Sequence, residues 1–153
     1  MRTIFLTLGL GLGVAACGET QTTERPRDPV VIEGVQLRPC PTSDPDHECE
    51  FDHAKASGYL ADALKGDYQA QRNVSDMHTS SRAWIVARPI QGCAWRMVIM
   101  VSRPADSTMD DAGMYRIQCG DLGAADLADA KTLASGIYRR IHGTELPPLP
   151  PIA

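Results

Sequence analysis

The chain has 153 residues, with 15 Lys and Arg against 19 Asp and Glu and a formal net charge of −4. That balance gives no electrostatic footprint for nucleic acid and little attraction to anionic lipid heads. The length fits one small domain.

Arg2 precedes an apolar run from Ile4 to Leu12, broken by Gly9 and Gly11. A run this short cannot cross a bilayer, which takes roughly 20 residues, and reads as the hydrophobic part of a signal peptide over residues 1–16. It ends in Val14-Ala15-Ala16-Cys17, which resembles the lipobox of bacterial lipoproteins. The resemblance implies diacylglycerol on the Cys17 thiol, cleavage before Cys17 and acylation of the new N-terminus. Two or three acyl chains hold a protein at a membrane essentially permanently, so it implies attachment without a transmembrane helix. Gly18 rather than Asp after the cysteine points to the outer membrane, on its periplasmic side. Losing Arg2 with the leader leaves a charge of about −5, so the acyl chains rather than headgroup attraction would do the anchoring.

Residues 17–38 then read as the lipidated N-terminus and a tether. Glu19 to Pro29 is polar, rich in Thr, Pro and charge, and has no periodicity. Val30 to Val35 is β-branched, and with no second strand in view it reads as an extended arm lying on the domain. Pro39, Pro41 and Pro45 exclude helix and central strand from Pro39 to Glu50.

The domain proper, 39–146, is predicted to be all-α. Ala54, Ala56, Leu60, Ala63 and Leu64 recur near a 3.6-residue period, with Asp52 as N-cap and Gly66 as the stop. Asp67 caps a second helix that presents Ala70, Asn73, Val74 and Met77. Thr79 to Arg88 breaks the pattern and reads as a loop. Pro89 suits the first turn of a third helix, Ile90 to about Val101, apolar nearly all round; its run Val98 to Val101 would also suit a buried strand. Arg103 to Gln118 reads as a loop closed by Cys119. The last helix shows one stripe of Leu127, Ala130, Leu133 or Ala134, Ile137 and Ile141. Gly123 stands at its start, Arg139, Arg140 and His142 in its last turn, and Gly143 at its end. Residues 147–153 form a loose, polyproline-like tail. The expected architecture is a small antiparallel helical-hairpin domain of about four helices.

Beyond Cys17, four cysteines remain: Cys40, Cys49, Cys93 and Cys119. An even number in an exported chain suggests two disulfides, for which three connectivities exist. Cys40–Cys49 would close the proline-rich loop, and Cys93–Cys119 would tie a helix to the start of the next. Loops of this size contribute about 3 kcal/mol each in the chain-entropy account. A four-cysteine zinc site is the rival, but the chain lacks the C-x-x-C pairs that form its halves.

Catalytic constellations are sparse. Asp44, Asp46, His47, Glu48, Glu50, Asp52 and His53 form the densest polar cluster. Its two histidines stand six apart across a cysteine rather than one helical turn apart, so a solvated acidic loop leading into a helix N-terminus is the better reading. Glu48 or Glu50 could serve a glycosidase, yet nothing in their spacing separates them from surface acids. There is no G-x-S-x-G elbow, and nothing calls for a cofactor or a metal. His78 and His142 fall near helix ends and read as caps or surface groups. Trp95, inside an apolar helix, reads as core. Trp84 stands among Arg82 and Arg88, and with Arg72 these would form a basic, aromatic partner-binding surface on an otherwise acidic protein.

Gly66-Asp67-Tyr68-Gln69-Ala70-Gln71-Arg72-Asn73-Val74, Met77, and the later Ala94-Trp95 resemble one Sel-like repeat, the tetratricopeptide-related helical hairpin. The likeness covers about 35 residues, with Val74 where the family has Leu and His78 where it has Tyr. It implies binding rather than chemistry. The expected function is therefore a membrane-anchored, non-catalytic helical module with an envelope protein as partner. The alternatives are a small peptidoglycan-acting or metal-dependent envelope hydrolase, and an immunity protein that neutralises a secreted toxin.

Overall fold

In the computed structural model, which describes residues 30–32, 34–43, 45–80, 84–102 and 109–152, Gly34 adopts φ 100°. That conformation is open to glycine and strained for other residues, and the chain reverses there. Strand β1 (Val30–Ile32) pairs antiparallel with β2 (Val35–Leu37), Val31 opposite Gln36. The expected lone arm is thus a hairpin, and its partner strand is simply the continuation of the same apolar run past the glycine. Strand β2 is built into the folded domain, because Val35 and Leu37 are buried. A third extended segment joins it: Leu37 bridges Ile85, and Val86 N donates to Gln36 O at 2.9 Å.

Helix α1 (Glu48–Ala63) starts earlier than Asp52, the expected cap. His47 occupies the cap position at φ 54° without a capping side chain, and Glu48 and Glu50 meet the helix dipole in the first turn. Cys49 in that turn is bonded to Cys40, with Cα atoms 5.6 Å apart, so the disulfide rather than a cap fixes the helix start. At the other end Gly66 takes φ 93°. Asp67 then caps α2 (Tyr68–Thr79), its side chain accepting from Ala70 N at 2.7 Å.

Helix α3 (Pro89–Ser102) begins at the expected proline, and every residue from Gly92 to Ile99 is buried. A helix apolar on all sides has to be surrounded by protein, and α3 packs against α2, α4 (Met109–Gly120) and α5 (Ala124–His142). That central position is why the strand reading fails. Helix α4 replaces part of the expected loop. Its buried residues Asp111, Tyr115, Gln118 and Cys119 follow helical spacing, but two of the four are polar, so the periodicity is invisible to hydrophobicity. Cys119 therefore ends a helix instead of beginning one, and it is bonded to Cys93 of α3, Cα–Cα 5.0 Å. Helix α5 runs from Gly123 at its N-cap to Gly143, which adopts φ 72°.

The described residues form an all-α, disulfide-stapled domain of five helices with a small hairpin. One core cluster joins the hairpin, α1, α2 and Trp95, and another joins α3, α4 and α5. The tail is packed rather than loose: Leu146, Leu149 and Ile152 lie against the second cluster, and Tyr115 Oη donates to Pro150 O at 3.3 Å. No helix among the described residues is long and apolar enough to cross a membrane.

Candidate functional site

Two features stand out from the packing of the helices. The first is an ionic clamp. Arg96 projects from α3 with 1% exposure, facing Asp111 of α4 at 0%. Its Nη1 donates to Asp111 Oδ1 at 3.1 Å, its Nη2 to Asp76 Oδ1 at 2.5 Å and its Nε to Gln118 Oε1 at 3.2 Å. Asp111 also accepts from Tyr68 Oη and lies 3.0 Å from Arg72 Nε. Gln118 Nε2 donates to Thr79 Oγ1 at 3.2 Å, and Ser75 Oγ donates to Gln118 Oε1 at 2.7 Å. Every charge in the cluster has an opposite partner at hydrogen-bond range, which is the condition for burying it. The clamp ties α2, α3 and α4 together and is closed at Asp111 and Arg96, so its chemistry is structural.

The second feature is an apolar cavity of about 510 Å³. Leu64 past α1, Trp95 on α3 and Leu133 and Ile137 on α5 supply its walls, with Gly34 of the hairpin and Arg140 at its edge. His78 of α2 also lines it. Burial is complete for His78, and neither of its ring nitrogens has a hydrogen-bond partner. Removal from water, helped by the charge of Arg88, lowers its pKa from 6.5 to about 4, so the ring is neutral near pH 7. A buried, unpaired imidazole costs stability. Its position had a sequence signal: Ala70, Val74 and His78 are spaced four apart, placing His78 on the apolar stripe of α2 rather than at its surface.

The nominated surface residues divide. Arg72 is committed within the molecule, its Nη2 donating to Asp110 Oδ2 at 2.5 Å. Trp84 and Arg88 lie together on the segment entering α3. Trp84 O accepts from Arg38 N at 2.9 Å, and Arg88 N donates to His78 O at 2.8 Å. That segment is therefore pinned to the hairpin on one side and to the cavity-lining histidine on the other. Arg82 and Cys17 lie outside the described residues, as does Asp44.

The acidic cluster does not converge. His47 Nδ1 meets Glu50 Oε2 at 3.3 Å on the surface, whereas His53 turns to the disulfide, 3.6 Å from both Cys40 Sγ and Cys49 Sγ. Cys40, Cys49 and His53 are the one convergent set of three potential ligand residues among the described residues. Their sulfurs are bonded to each other and so are not the thiolates a metal takes. Trp95 is buried as expected. A serine–histidine contact does exist, Ser102 Oγ to His142 Nε2 at 3.0 Å, with the imidazole stacked on Tyr138, centroids 4.3 Å apart. It is exposed, and among the described residues no carboxylate orients the other ring nitrogen as acyl-transfer chemistry requires.

The described residues form a disulfide-stapled all-α domain with a buried ionic clamp and an apolar cavity. Compared with known proteins, the chain matches no family model, no curated protein and no solved structure.

Proposed function

We propose that the protein is an envelope lipoprotein, held through acylated Cys17 at the periplasmic side of the outer membrane, that binds another envelope protein and catalyses nothing. The observation that carries the binding reading is the strip from Trp84 to Arg88. It is locked at both ends by backbone hydrogen bonds to Arg38 and His78, and it carries a half-buried aromatic and a half-buried cation, the latter bonded through its backbone to a residue that lines the apolar recess. Preorganised Trp and Arg at the edge of a recess are the groups that most often dominate protein interfaces. The hydrolase alternative has less support. Glu50 is exposed on the first turn of α1 and pairs with His47, which is a surface arrangement rather than a cleft. The Sel-like resemblance is a reading of α2 and α3, whose close packing and buried Ala94 and Trp95 suit such a hairpin.

The anchor is tested separately from the binding. A radioactive fatty acid fed to cells should label the wild type and leave Cys17→Ser unlabelled. Label retained on the variant would remove Cys17 from the proposal.

A further inference from the structure

We propose that the cavity between α2, α3 and α5 is a binding site for a small apolar carboxylate, with its hydrocarbon against Trp95, Leu64 and Ile137 and its carboxylate accepting from the ring of His78. This site goes beyond protein binding at the Trp84 strip and stands whether or not that strip holds a partner. Three observations carry it. The volume of about 510 Å³ lies in the range of roughly 300–1,000 Å³ that encloses small molecules. Its polar lining comprises His78, Gln91, Thr132 and Arg140, so it carries one cationic side chain and no acidic one. Such a lining suits an acceptor, preferably an anion, on an apolar body. Lastly, His78 is fully buried and unpartnered, an arrangement that costs stability unless an occupant supplies the missing acceptor.

Both ring nitrogens are shielded from water, so binding as proposed requires the imidazole to turn toward the cavity, which makes His78 a reporter of occupancy. Aliphatic and aromatic acids share the required chemistry, and the experiment separates them. The purified full chain is titrated with dodecanoate and, in parallel, with 2-naphthoate, followed by calorimetry and by NMR of the histidine rings. Saturable one-site binding that shifts the His78 signals is expected with at least one acid, and the arm that saturates names the body. His78→Leu should weaken binding by about tenfold, the loss of one hydrogen bond to a charged group. Gly136→Phe should weaken it by about tenfold or more, because Gly136 lines the cavity and a Cβ there is accommodated without a clash, so the added ring takes up space at the mouth. Circular dichroism confirms that each variant is folded. No saturable binding of either acid, or binding undiminished in Gly136→Phe, overturns the site; undiminished affinity in His78→Leu overturns the role of the histidine.

Discussion

His78 and Arg96 are both buried polar residues, and they are resolved in opposite ways. Arg96 has all of its charge answered by Asp76 and Asp111, so removing it takes from the buried Asp111 one of its cationic partners and leaves Arg72 and the Tyr68 hydroxyl to answer that charge. Arg96→Met should lower the stability to urea by about 3–5 kcal/mol, the cost of breaking a buried pair; a loss below about 1 kcal/mol would show that the clamp is incidental. His78 has no partner and is held neutral. Its folded pKa of about 4 lies below the unfolded 6.5. The folded state thus binds fewer protons between those values, and stability present above pH 6.5 is lost as pH falls toward 4. Between pH 7 and pH 5 the histidine should account for a loss of about 2 kcal/mol. His78→Leu should abolish that part of the pH dependence and, by removing an unpaired polar group, be no less stable than wild type at pH 7. Equal pH slopes in the two proteins would contradict the burial of a neutral ring.

At the scale of elements, Gly92 sets the approach of α2 and α3. A Cβ there would stand 2.5 Å from Thr79 Cγ2 and 3.3 Å from Ser75 O, so Gly92→Ala should destabilise by about 1–3 kcal/mol through overpacking despite alanine's better helix propensity. A thermal melt unchanged from wild type would mean that the helices can part without cost. The elements also differ in how far they could be read from sequence. α2, α3 and α5 announce themselves through capping residues and apolar spacing: Asp67, Pro89, Gly123 and Gly143 mark ends that the structure keeps. α4 does not, because Asp111 and Gln118 on its buried face are core through ionic and hydrogen bonds supplied by Arg96, a residue distant in sequence. The hairpin was hidden for a local reason, since a break of only two residues at Gly34 makes two short strands look like one arm. The start of α1 was displaced because the Cys40–Cys49 bond, not a capping side chain, decides it. The cavity was hidden for the same reason as α4: His78 is polar in type and apolar in position.

Taken whole, the described domain packs one apolar helix against three others, with α1 laid on α2, staples the set with two disulfides, and runs the Trp84–Arg88 segment from the hairpin to the cavity-lining His78. Much of its internal polarity is spent on holding α2, α3 and α4 in register, whereas the strip is held to the hairpin by its backbone and its side chains at Trp84 and Arg88 stay partly exposed. The proposed function follows from this division: a domain on a lipid anchor, rigid in its helices and receptive where hairpin, α2 and α5 meet. Photo-crosslinking in cells tests that claim most directly, with the probe placed at Ala87 beside the strip or at Arg116 on α4, which contributes nothing to the cavity. The account predicts a specific protein adduct from Ala87 that weakens in a Trp84→Ala background, and none from Arg116. An adduct equally strong from both positions and indifferent to Trp84, or no adduct from Ala87 in cells where the protein is abundant, would contradict it.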